Sequence, residues 1–313
     1  MLCALTSSID ILIILRLFQG MSGAAGIVIA RAIVRDHYAG HDLTKFFALL
    51  MLINGAAPIL APVIGGQILR FTSWHGVFAV LFIAGLLMLT AVVFGLPESL
   101  PRSRRVKGGL KQTLSHIPRL LRDRTFLGYA WSQGFVYAAM FAYISGSPFV
   151  VQDIYHATPQ IFSMIFATNG LGIIVASQLS ARLSGRYGEK NILVLGLTLA
   201  GLGSIVLCSM IVLGIGLTGI LPALFVVVAS VGMVGTTGSA LAMQTQGNNA
   251  GSAAAMIGVS QMLLGAAASP LVGIGGGQDA VPMGVVILLC DLLGVACYVL
   301  LVKMGRKANV IED

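Results

Sequence analysis

The chain has 313 residues, 57% of them apolar and only 10% charged, and its mean hydropathy is +0.94. Because an ordinary globular domain carries about 25% charged residues, this composition excludes a soluble enzyme, a secreted disulfide scaffold, a disordered tail and a nucleic-acid binder. The 39 glycines let helices approach closely and favour bundled transmembrane helices over a barrel, so the net charge of +8 is to be sought in the loops.

Runs of about 20 apolar residues, the length that crosses a bilayer, predict nine spans, at 11–34, 46–69, 77–96, 127–151, 160–181, 191–213, 220–243, 251–274 and 281–302. Ahead of the first, Met1 to Leu5 are apolar but too few to cross. Residues 1–10 carry neither the positive n-region nor the cleavage site of a signal peptide, and Met1 to Leu5 are expected to be the last turn or two of a helix. Asp10 is expected at a helix start, as N-cap or first-turn acid.

In the first span, Arg16, Gln19, Gly20 and Gly23 fall at i, i+3, i+4 and i+7 and share one helix face. Such a face suits a polar cavity better than lipid, and a fixed cation there would keep a nearby carboxylate ionised until substrate or water screened it. In the second span, Pro58, Pro62, Gly65 and Gly66 are expected to kink a helix and to allow close packing, as structural parts of a moving bundle rather than ligands. A long polar segment from Pro97 to Arg124 follows and holds eight Lys and Arg residues.

Trp131, Tyr137, Met140, Phe141 and Tyr143 crowd the fourth span, either as an adaptable lining or as packing against lipid and neighbours. Pro148 and Pro270 are expected to act as Pro58 and Pro62 do. Gly214-x-Gly216-x-x-Gly219 matches a dinucleotide fingerprint but joins two apolar spans without a βαβ context, so it is a chance match. Asp291 lies in the middle of the last span, where a charge costs ~2.5–3.5 kcal/mol on insertion scales. Two roles stay open for it, a titrating proton carrier and a protonated acid sheltered by its neighbours. Cys3, Cys208, Cys290 and Cys297 form no C-x-x-C pair, and the five histidines all sit in or beside loops. No metal site or cofactor is therefore expected, which weighs against the alternative of a polytopic intramembrane enzyme.

If the long basic segment is cytoplasmic, alternation of nine spans makes the segments near 31–45, 182–190 and 303–307 cytoplasmic too. Together these hold 17 of the 19 Lys and Arg residues, which puts the N-terminus outside and the C-terminus inside. The expected domains are a three-span bundle at 1–96, a basic cytoplasmic linker at 97–124 and a six-helix bundle at 125–313. The two sides echo each other, Ala61-Pro62-Val63-Ile64-Gly65 against Ser269-Pro270-Leu271-Val272-Gly273 six spans later.

These motifs resemble the Bcr/CflA subfamily of major-facilitator drug:proton antiporters. Leu12-x-x-x-Arg16-x-x-Gln19-Gly20 is similar to the family's fourth-helix motif. Ala57-Pro58-Ile59-Leu60-Ala61-Pro62-Val63-Ile64-Gly65-Gly66 is similar to its fifth-helix antiporter motif. Ser73-Trp74-His75, Pro97-Glu98-Ser99-Leu100-Pro101 and Gly146-Ser147-Pro148-Phe149-Val150 resemble subfamily markers. Around Ala181 to Lys190 the loop motif departs from the family, with Gly185 where an Asp is usual and Glu189 where a base is usual.

The resemblance implies an all-α membrane protein of major-facilitator helical-bundle type with nine spans of a twelve-helix architecture. It implies a multi-pass protein of the bacterial inner membrane, a monomer, exchanging small amphipathic drug-like substrates for protons by alternating access. The proton and substrate pathway would use Arg16, Gln19 and Asp291, although the family brings no acid to the last position. The first three helices of the twelve, with the first-helix carboxylate used for coupling, would lie outside this chain, and the chain would then not transport by itself.

Overall fold

Burying a backbone in hydrocarbon requires every N–H and C=O to be paired within the segment, and each regular element among the described residues is a helix. The computed structural model describes residues 2–37, 57, 60–61, 64–96, 117–245, 250–275 and 279–304. The chain divides into two compact units, Met1–Lys107 and Gly108–Asp313.

In the first unit, α1 (Leu2–Leu5) turns through Thr6, whose Oγ1 accepts from the Ser8 N–H at 3.2 Å, into α2 (Ile9–His37). Asp10 lies in the first turn of α2, where a carboxylate complements the helix dipole. At 29 residues α2 is about 44 Å long and exceeds the ~30 Å hydrocarbon core. It contains the expected span 11–34 in full. Helix α3 (Trp74–Gly95) begins after Ser73, with the Trp74 and His75 rings 3.6 Å apart. Most of its leucines and valines, with Phe82 and Phe94, are exposed, while Val77 and Phe78 in its first turns are half-buried. Of the expected second span, residues 46–56 lie outside the described residues, as do Pro58 and Pro62. Gly65 and Gly66 are within a helical stretch at 64–68.

The second unit starts with a short α4 (Ile117–Leu120) and continues through six long helices: α5 (Arg124–Pro148), α6 (Pro159–Tyr187), α7 (Glu189–Val212), α8 (Leu217–Gln244), α9 (Ala250–Leu271) and α10 (Val281–Cys297). Local chemistry sets their ends. Asp123 caps α5 by accepting from the Phe126 N–H at 3.0 Å, and Thr158 caps α6 by accepting from Ile161 at 3.4 Å, with Pro159 pre-set in the first turn. Helix α6 stops at Gly188, whose φ of +82° is a left-handed conformation that favours glycine. Gly214 and Gly216, at +65° and +87°, form the turn between α7 and α8, so the Gly-x-Gly pattern serves the connection. Asp279 starts α10 by accepting from the Val281 N–H at 2.9 Å. Pro148 and Pro270 each precede a change of pitch, a π turn at Phe149–Ile154 and a 3-10 turn at Val272–Gly275. Both fit a proline that removes one helical hydrogen bond.

Small residues bring these helices together. A side chain on Gly232 of α8 would collide with the backbone of Ile173 and Ser177 on α6, and Gly196 and Gly203 of α7 lie against Val234 and Val227 of α8. Gly294 lets α10 approach the Ser132 carbonyl of α5. Two apolar clusters fill the unit. One surrounds Tyr143, Leu207, Leu224 and Ile287, and the other Phe126, Leu193, Val234 and Val302. Seven described helices are long and apolar enough to cross a membrane, α3 and the six long helices of the second unit with their extensions. They coincide with seven of the nine expected spans.

Candidate functional site

On α2 the Arg16 guanidinium donates to Gln19 Oε1 at 2.8 Å, a contact that their spacing of three residues dictates. The same guanidinium lies over the Phe78 ring of α3, 5.6 Å from its centre, a cation–π contact that helps hold the charge beside an apolar helix. Arg16, Gln19 and Gly20 are exposed within their unit.

Asp291 belongs to the other unit and is fully enclosed, 0% exposed, on the face of α10 that packs against α5 and α7. Among the described residues neither carboxyl oxygen has a hydrogen-bond donor. Ser204 of α7 and Cys290 stand beside it, but the Ser204 hydroxyl donates at 3.0 Å to the Gly201 carbonyl of its own helix.

The aromatic group of the fourth span separates into three environments. Trp131 is 42% exposed and faces outward. Tyr143 is buried, stacks on Phe166 with ring centres 5.4 Å apart, and accepts from Asn169 Nδ2 at 3.0 Å. Tyr137 and Phe141 are half-buried against Gly235 of α8 and Gly265 of α9.

A polar group beside them escaped the reading of the sequence. Gln133 of α5 is 0% exposed, and its Oε1 accepts from Ser239 Oγ of α8 at 2.8 Å and from Gln261 Nε2 of α9 at 3.3 Å. Ser177 of α6 and Thr236 of α8 share a further bond of 2.7 Å. The available signal was the run Gly235-Thr236-Thr237-Gly238-Ser239 inside an apolar span, together with a glutamine in each of two other spans. Elsewhere in the unit, a cavity of about 330 Å³ lies beside Phe149, Asp153, Asp279 and Met283, away from both Gln133 and Asp291. Among the described residues no three His, Cys, Asp or Glu side chains gather into a metal site.

Comparison with known proteins accords with a transport fold. The chain is 41% identical over 303 residues to the MFS-type transporter YdgK of Bacillus subtilis, covering 96% of this chain and 75% of that one. It is 28% identical over 295 residues to a bicyclomycin resistance protein homologue of Haemophilus influenzae, covering 94% and 74%. It is 26% identical over 210 residues to the chloramphenicol resistance protein CraA of Acinetobacter baumannii, covering 66% and 49%. Its fold is similar to that of a bacterial homologue of the human lysosomal transporter Spinster, solved inward-facing and unoccupied, with a TM-score of 0.62, 16% identity, and coverage of 96% of this chain and 77% of that chain. The family profile of the Major Facilitator Superfamily matches residues 1–270. The chain therefore belongs to the Major Facilitator Superfamily, and it is a multi-pass membrane transporter rather than an enzyme.

Proposed function

We propose that this transporter exports small amphipathic drug-like molecules from the bacterial cytoplasm across the inner membrane in exchange for protons, by alternating access. The observation that carries the reading is family membership combined with relatives named for resistance to bicyclomycin and chloramphenicol. The doubled Ala-Pro motif and the Arg16–Gln19–Gly20 motif support a Bcr/CflA-type exporter.

On this reading the chain carries nine spans of a twelve-helix architecture, in a three-span bundle at 1–96 and a six-span bundle at 125–313 joined by a cytoplasmic linker. The C-terminus is cytoplasmic, the N-terminus is on the outer side, and the protein works as a monomer. Arg16, oriented by Gln19 and by the Phe78 ring, supplies a fixed positive charge along the pathway, and Asp291 is the carboxyl group assigned to the proton. Pro58, Pro62, Gly65, Gly66 and Gly20 let the first bundle bend and pack closely.

Substituting Arg16→Ala at the gene's own locus tests the assignment. Proton-driven efflux is expected to be lost while the protein still inserts in the membrane at its normal level. Unchanged efflux would remove Arg16 from the mechanism.

A further inference from the structure

We propose that Gln133, Ser239 and Gln261 form a subsite that hydrogen-bonds an uncharged acceptor oxygen, such as an amide, lactam or ketone carbonyl, on the transported molecule. The proposal rests on the export reading for the identity of the ligand as cargo.

Two donors from two different helices converge on the Oε1 of Gln133, and a carbonyl oxygen has two lone pairs. The acceptor end of this amide is therefore filled. The other end, Nε2 with two N–H groups, has no partner among the described residues although the side chain is 0% exposed. A buried amide donor without an acceptor is costly, and most such groups in folded proteins are matched. Here a carbonyl oxygen arriving with the cargo supplies the match.

The surroundings fit that occupant. Ser239 and Gln261, which bond the enclosed Gln133, and Tyr137 and Phe141 on its own helix are each only half-buried. Gly235 and Gly238 keep α8 free of side chains beside Tyr137 and Gln133, where an added Cβ would come within 3.1 Å and 3.4 Å of them. Tyr137 and Phe141, one and two turns along α5 from Gln133, offer aromatic faces for the apolar part of a ligand. Among the described residues no charged side chain bonds to this group. Asp291 lies beside Ser204, on the part of the unit where α10 meets α7. A site of neutral donors and aromatic rings selects a neutral carbonyl compound and gives a cation no counter-charge.

The test is equilibrium dialysis with the full purified chain in lipid nanodiscs. One probe is chloramphenicol, a neutral amide, and the other is tetraphenylphosphonium, an apolar cation without an acceptor. Gln133→Met keeps the unbranched shape and removes the donors, so chloramphenicol binding is expected to weaken about tenfold while tetraphenylphosphonium binding stays within about twofold. Where that variant does not reach the membrane, Gln133→Asn retains the amide but withdraws it by one methylene and should show the same selective loss. Equal loss for both probes would make Gln133 a packing residue. No loss for chloramphenicol, or no binding of it by the unsubstituted chain, would also overturn the proposal. Gln133-dependent binding without proton-driven export would defeat the export reading and leave the subsite standing. Export independent of Gln133 would do the reverse.

Discussion

Replacing Gly232 by alanine tests how closely the helices of the second unit pack. The added methyl would strike the Ile173 carbonyl oxygen and come 3.0 Å from the Ser177 nitrogen, both backbone atoms of α6. Backbone cannot rotate away as a side-chain tip can. Restoring ordinary contact at ~3.5–4 Å therefore requires α6 and α8 to part by roughly an ångström. The same seam carries the 2.7 Å bond between Ser177 and Thr236, which lengthens as the helices separate. Overpacking costs about 1–3 kcal/mol, and with a backbone obstacle and a strained hydrogen bond the upper part of that range, about 2–3 kcal/mol, is expected. Gly201→Ala on α7 is the control, because its Cβ would meet only the Val295 side chain at 3.6 Å. That is ordinary contact, so a change within about 0.5 kcal/mol is expected. Unfolding both variants in detergent micelles by titration with SDS measures the difference. If Gly232→Ala matched the unsubstituted chain as closely as Gly201→Ala does, the close approach of α6 and α8 would be refuted.

Reporter fusions after Lys111 and Lys190 are expected to report the cytoplasm, and fusions near Asp153 and Asp279 the outer side; two reversals would break the nine-span order. Removing the Asp123 cap with alanine should cost about 1 kcal/mol in the same SDS titration, and an unchanged midpoint would show that the bond to Phe126 contributes nothing. Asn169→Leu should destabilise by about 1 kcal/mol, and combining it with Tyr143→Phe should cost less than the sum of the two singles, because both delete one bond. Full additivity would deny that coupling. Asp291→Asn should leave drug binding intact and abolish the dependence of transport on the proton gradient, whereas retained dependence would take Asp291 out of the proton pathway.

The spans were legible because hydrocarbon thickness enforces a run of about 20 apolar residues whatever the tertiary packing. Helix α3 and the six long helices fall where those runs lie. The Arg16–Gln19 contact was legible because helical spacing alone puts residues three apart on one face. The turn at Gly214 and Gly216 was legible because nothing around it had the pattern of a nucleotide fold. Gln133 was not. Its partners Ser239 and Gln261 are 106 and 128 residues away along the chain, and periodicity within one span carries no information about which faces of three helices meet. The aromatic residues of α5 show the same limit. Spacing could group Trp131, Tyr137, Phe141 and Tyr143 on one helix, but only packing assigns Trp131 outward and Tyr143 to the core. For Asp291 the sequence showed a mid-span acid, while its enclosure by three helices depends on the approach of Gly294 to α5 and of Gly284 to α7.

Proton-driven drug movement is the central claim, and everted inner-membrane vesicles measure it directly. Vesicles from the source bacterium, with the gene present and with it deleted, would be given an inward-acid pH gradient and labelled chloramphenicol. Vesicles containing the protein are expected to accumulate the drug above the deletion strain, and nigericin, which collapses the gradient, should abolish the difference. Equal accumulation in the two strains, or a difference that survives nigericin, would contradict the account.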